Sequence, residues 1–169
     1  SLGLVGSEMC IRDRFDAVRM NLATWAKPKI PTPTSSKKTK NEEVAVAILS
    51  DIQLAKVTPD YNSDIAEERV VAYAHKIVEL TNLQRNAHPV NKCAVLVAGD
   101  IVEGELIFPG QSHLIDASLY KQVTIDGPRI LTQFFDILLA NFKEVEVTWV
   151  IGNHGSLGGL SLIHISEPT

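Results

Sequence analysis

The sequence predicts an α/β domain with a largely parallel sheet. Three short apolar runs carry that reading: "VAVAILSD" (44–51), "CAVLVAGD" (93–100) and "VEVTWVIGN" (145–153). Between them lie stretches with helical rather than alternating periodicity. Strand, helix, strand, helix, strand is the order of βαβ units, which build parallel sheets. The three runs also end alike, in small and polar residues.

Both ends of the chain need separating from the rest before any fold is argued. The tail "LSLIHISEPT" (160–169) can be encoded by DNA whose reverse complement translates as "LVGSEMCIRD", the residues at 4–13. That DNA resembles the adapter of transposase-based sequencing libraries. Residues 1–14 and 160–169 are therefore expected to be non-native, leaving 15–159 as an open-ended fragment of a longer gene. A native apolar N-terminus, such as a signal peptide, is the alternative; "SLGLVGSEMC" lacks the basic start and long apolar core of one.

Residues 15–26 place Phe15, Val18, Leu22 and Trp25 at helical spacing. "KPKIPTPTSSKKTKNEE" (27–43) follows, and its prolines, serines and lysines read as an extended linker. The run at 44–51 has no polar alternation and is expected to be a strand buried on both faces. "SDIAEERVVAYAHKIVELTNLQR" (63–85) is a helix that Ser63 or Asp64 can cap, with Ile65, Val70, Ala74, Ile77, Val78 and Leu80 on its apolar side. Residues 93–100 form the second strand. Residues 116–142 are mostly helical with a break near "DGPR" (126–129), and 145–153 is the third strand.

Composition narrows the classes. A net charge of −4 gives no bulk electrostatic footprint for nucleic acid. No apolar run is long enough to span a membrane. With Cys10 in the foreign segment, Cys93 has no intramolecular partner; a buried strand thiol suits a reducing, cytoplasmic compartment. Neither G-x-x-x-x-G-K-(S/T) nor G-x-G-x-x-G is present, which counts against a nucleotide-binding α/β domain.

The chemistry gathers at the strand ends: Ser50-Asp51-Ile52-Gln53, then Gly99-Asp100-Ile101-Val102-Glu103-Gly104, then Gly152-Asn153-His154-Gly155. Ligands of open α/β sheets bind at the carboxyl ends of strands. Asp51, Asp100, Asn153 and His154 are thus candidates to converge, and carboxylate, amide oxygen and imidazole are ligand types for manganese, iron or zinc. Singly, each is ordinary: an Asp after a strand more often caps a helix or forms a turn. His75, His88 and His113 read as surface or loop residues, and Lys56, Tyr61 and Asn62 could equally be surface residues or phosphate contacts.

"SDIQ", "GDIVEG" and "GNHG" resemble the first three blocks of the calcineurin-like metallophosphoesterases, patterned D-x-H, G-D-x-x-(D/E) and G-N-H-(D/E). The resemblance covers 44–159 and is closest to phage and bacterial members of the DNA-repair exonuclease branch. It implies the first half of an α/β sandwich, with a mixed, largely parallel sheet. It implies a hydrolase acting on phosphomonoesters, phosphodiesters or DNA, with two divalent metal ions: manganese foremost, or iron, zinc or magnesium. By the resemblance, Asp51 binds the first metal and Asp100 bridges both. Asn153 binds the second, His154 protonates the leaving oxygen or steadies the phosphate, and Glu103 orients its loop. Gln53 stands where the family has histidine; its amide oxygen is a weaker, neutral donor suited to hard cations. Gly155 replaces the usual acid. The family's later blocks, a lone His and G-H-x-H, are expected downstream of Gly159, and His164 is not one of them. The chain alone is expected to be inactive and poorly soluble, with one sheet face uncovered. The alternative is a non-catalytic scaffold that kept the fold.

Overall fold

The computed structural model describes residues 2–24 and 41–155. Its centre is a three-stranded sheet of β1 (Glu43–Ser50), β2 (Val90–Ala98) and β3 (Glu144–Trp149), in the order β1-β2-β3. Both pairings are parallel: Ala47 faces Val95, which faces Val147, and Leu49 faces Val97, which faces Trp149. The carboxyl ends are therefore level. The mixed α/β class and the parallel sheet follow the expectation, with each strand shifted toward its amino end.

The connection from β1 to β2 runs through α2 (Ser63–Gln84), and that from β2 to β3 through α3 (Leu119–Lys121), a π-helical turn (Gln122–Asp126) and α4 (Gly127–Asn141). Parallel crossovers are right-handed, so a sheet that adds strands in one direction carries its helices on one face. Helices α2 and α4 accordingly pack together. The core lies between them and that face: Ala47, Leu49, Cys93, Val95 and Val97 from the strands, Ala66, Val70 and Ala74 from α2, and Ile130, Phe134 and Leu138 from α4. Phe134 is fully buried, stacked on Tyr73 at 6.1 Å and edge-on to Phe135 at 5.3 Å. Burial pushes the Cys93 thiol up to about 11, so it stays protonated and inert near neutrality.

Among the described residues nothing covers the opposite face. Val44, Val46 and Ile48 are 48, 65 and 59% exposed, and Leu96 beside Ile48 is exposed too. The expectation that the first strand is buried on both faces is therefore corrected: only alternate residues reach the core, because helices cover one side alone. The charged end of this face is Lys92, which bridges Glu144 at 2.9 Å and Glu146 at 2.6 Å; that pairing holds Glu146 below and Lys92 above their ordinary ionisation ranges.

Four local expectations also change. Helix α2 is capped by Asn62, whose Oδ1 accepts the Ile65 N–H, while the carboxylate of Asp116 holds the Ser63 N–H and hydroxyl. On α2, Leu80 is 52% exposed, and Ala66 and Thr81 are buried instead. There is no break at Gly127-Pro128. Proline in an α-helix clashes with the carbonyl four residues back, and the π-helical turn immediately before it widens the chain there, so helix continues from Leu119 to Asn141. Finally, α1 spans Leu2–Ala23, longer than the expected 15–26, and Phe15 is 67% exposed rather than packed. It touches the rest through the side chain of Asn21, which donates to the Thr124 carbonyl at 3.4 Å. Trp25, the linker 27–40 and the tail 156–169 lie outside the described residues.

Truncation on the two faces should differ in cost. Phe134→Ala should cost about 3–5 kcal/mol in urea unfolding, and Val46→Ala about 0.5 kcal/mol or less. Equal costs would mean that the bare face is covered.

Candidate functional site

Asp51 follows β1 directly, its N–H still on the sheet ladder at the Ala98 carbonyl, 3.3 Å. The chain then turns left-handed three times, at Asp51 (φ 47°), Gln53 (φ 47°) and Ala55 (φ 79°). Non-glycine residues in that region cost roughly 1 kcal/mol each and cluster at functional sites. The turn is held by the loop after β2: Gln53 N–H donates to Asp100 O at 3.0 Å, Leu54 N–H to Ile101 O at 2.9 Å, and Glu103 N–H to Leu54 O at 2.9 Å. Tyr61 fixes it from outside through a hydroxyl donated to Ile52 O. Burial raises the ionisation of that hydroxyl, with Arg69 partly offsetting it.

Three of the six candidates, Asp51, Asp100 and His154, meet through contacts to a carboxylate. Asp100 N–H donates to Asp51 Oδ1 at 3.3 Å. Asp100 Oδ1 accepts the His154 N–H at 2.8 Å, and Asp100 Oδ2 lies 3.8 Å from His154 Nε2. His154 Nδ1 is 2.8 Å from the Glu103 carbonyl. A carbonyl only accepts, so Nδ1 carries the proton and Nε2 is left as the basic nitrogen beside Asp100.

These approaches depend on missing side chains. A Cβ on Gly99 would sit 2.3 Å from Asp51 Oδ1, and one on Gly152 would sit 2.3 Å from Asp100 Oδ1 and 2.7 Å from Gly99 O. Gly104, at φ 86°, leaves room for the His154 carbonyl, 2.6 Å from where its Cβ would stand.

The other candidates are placed differently. Asn153 is exposed on the same turn as His154. Gln53 Oε1 accepts from Lys56 Nζ at 2.6 Å, so a cation already sits on the oxygen expected to coordinate metal. Glu103 is 3% exposed; its Oε1 accepts from Gln111 Nε2 at 3.1 Å, and its Oε2 is buried without a hydrogen-bond partner. His113 is exposed on the short turn Gln111–His113.

Two residues went unremarked in the sequence. Gln111 and Gln122 are fully buried. Gln111 Nε2 also donates to the Glu103 carbonyl at 2.9 Å, and Gln122 closes both hydrogen bonds of the Gly104 backbone and one of Ala117. They brace the loop that carries Glu103, and with it the carbonyl that orients His154. Only their burial distinguishes them from surface glutamines.

Among the described residues no three His, Cys, Asp or Glu side chains close around one point. The donors at hand are the carboxylates of Asp51 and Asp100, with Asn153 and His154 next to them. A tetrahedral zinc site needs a closed set of nitrogen or sulfur ligands. A hard cation such as magnesium, which keeps several waters and binds through one or two carboxylates plus substrate phosphate, fits the two aspartates.

If the glycines exist for the carboxylates, Gly152→Ala should cost about 1–3 kcal/mol through overpacking. Gly155→Ala, whose Cβ meets only Val102 Cγ2 at 3.6 Å, should cost within about 0.5 kcal/mol. Denaturant midpoints of the two variants check this. Comparison of the chain with protein-family models, with curated proteins and with solved structures returned no match, so the functional reading stands on geometry and motif alone.

Proposed function

We propose that this chain carries part of the site of a metal-dependent phosphoester hydrolase of the calcineurin-like metallophosphoesterase type, acting on phosphomonoesters, phosphodiesters or DNA. The observation that carries the reading is the contact of Asp51, Asp100 and His154 at the level carboxyl ends of three adjacent parallel strands. They come from three separate motifs spread over about a hundred residues.

In this reading Asp51 and Asp100 hold divalent cations, manganese or magnesium by the donor chemistry. Asn153 and Gln53 are neutral donors at the margin. A bound cation would offset the charge of the phosphoryl oxygens and activate water for in-line displacement. His154 acts from the side. Its Nδ1–H is anchored on Glu103 O, so its Nε2 can hold a proton beside Asp100 and pass it to a leaving oxygen. Asp100 both orients the histidine turn and supports the protonated imidazole. The described residues supply fewer donors than two metals require, and the remainder would come from water, substrate or sequence that resembles the family's later blocks.

A second reading, a non-catalytic scaffold of the same fold, is favoured by one contact: Lys56 Nζ on Gln53 Oε1. It places a fixed positive charge beside the first metal position.

Calorimetric titration with Mn²⁺ separates the two. The hydrolase reading expects saturable binding that Asp100→Asn weakens beyond the roughly 10–100-fold typical of outer-shell changes. It also expects Mn²⁺-dependent hydrolysis of bis-p-nitrophenyl phosphate by the full-length gene product, lost in that variant. Absence of binding at millimolar Mn²⁺ would leave the scaffold; turnover indifferent to Asp100→Asn would remove Asp100 from the chemistry.

A further inference from the structure

The resemblance implies two divalent ions, and the residues at the first of the two positions do not fit one. Gln53 is the donor there beside Asp51, and its Oε1 accepts from Lys56 Nζ at 2.6 Å. An amide oxygen has a second lone pair, so geometry alone would let it serve an ammonium and a metal together. Charge opposes it. A divalent ion on the same oxygen would face the ammonium across about 4 Å, and even at the dielectric constant of water that repulsion lowers affinity by more than about tenfold.

The fold holds the ammonium in this place. The Lys56 N–H donates to the Gln53 carbonyl at 3.1 Å, so backbone and side chain close the same turn. Its third residue, Ala55, is fully buried at φ 79°. A turn with a positive φ at that position normally takes glycine; here an alanine adopts it and brings residue 56 back to residue 53. Beyond the turn, Lys56 pairs with Ile115 in an antiparallel bridge, and Val57 N–H donates to Leu114 O at 2.8 Å. The ammonium takes the neutral amide although the carboxylates of Asp51 and Asp60 border the same cavity. Asp51 stays turned to the next strand, where its Oδ1 accepts the Asp100 N–H.

We infer that Lys56 stands in for the first ion: the site takes one divalent cation, held by Asp51 and Asp100, and the Lys56 ammonium is a second positive charge tethered to the chain. The inference rests on the hydrolase reading above and changes its metal complement from two ions to one. It also gives the Lys56–Gln53 contact a use other than disabling the site. A phosphoester carries negative charge on its non-bridging oxygens, and an ammonium anchored on an amide can face one of them, as a lysine does in other phosphate sites. Lys56 is on this account a substrate-binding residue, and Gln53 positions it.

The test counts Mn²⁺ ions on the full chain, by calorimetry for stoichiometry and by electron paramagnetic resonance for coupling between ions. The wild type should bind one ion and show the hyperfine-split spectrum of an isolated Mn²⁺. Lys56→Met keeps the apolar stem and removes the charge. It should bind a second ion at least tenfold more tightly than the wild type does, with the broadened spectrum of a coupled pair. Lys56→Arg should keep one ion, and Lys76→Met, whose native ammonium meets Glu79 at 2.9 Å, should change nothing. Circular dichroism checks that each variant remains folded. Two ions on the wild type, or one ion on both the wild type and Lys56→Met, would overturn the inference and leave the hydrolase reading standing. No Mn²⁺ on the wild type would reject that reading and the inference with it.

Discussion

The carboxylate of Asp100 accepts the His154 amide at 2.8 Å, and it can do so because Gly152 presents no side chain where that carboxylate lies. Most of the site follows from this contact. It ties the turn after β3 to the turn after β2. The Asp100 N–H in turn reaches Asp51, which ties in the turn after β1. Three chain ends that a parallel sheet would only bring near one another are thereby laced into one surface. The same lacing sets the imidazole: with its amide on Asp100 and its Nδ1–H on Glu103 O, His154 has its basic nitrogen beside a carboxylate.

Rigidity for this arrangement comes from behind. Gln111 and Gln122 satisfy the loop backbone at Glu103 and Gly104, where a bare carbonyl or amide would be costly to bury. Asp116 reaches across to the start of α2, and Asp126, 3% exposed, is paired with Lys121 and Arg129, the latter also gripping Glu67 of α2. The connection between β2 and β3 is thus fastened at two points to the amino-terminal turns of α2. The left-handed residues at 51, 53 and 55 are held in place by the hydrogen bonds of the facing loop.

Much of this was legible in the residues. Short apolar runs with helical stretches between them gave the parallel α/β order, because strand and helix periodicities differ. Polar residues after each run located Asp51, Asp100 and His154, and the glycines before Asp100 and Asn153 marked close backbone approach. What sequence could not supply was coverage. The run Val44–Leu49 is apolar throughout, yet helices cover only one face of it, and no local pattern says which layers are present. Nor could it supply the satisfaction of backbone groups: Gln111 and Gln122 become structural only through partners far along the chain. The passage through Gly127-Pro128 eluded a pattern reading because a π-helical turn removes the clash that proline signals. At Gln53 the residue type permitted coordination, and the proximity of Lys56 is what sets its oxygen to another use.

The central claim is that Asp51, Asp100 and His154 form one cation-binding surface, and paramagnetic broadening in solution tests it most directly. At 18.5 kDa the chain suits amide-resolved spectroscopy. On adding Mn²⁺ well below one equivalent, the amides of Asp51, Asp100 and His154 should broaden first and together, and Asp100→Asn should abolish that pattern. Broadening that begins instead at the surface acids Glu144 and Glu146, with the three strand ends unaffected, would contradict the account.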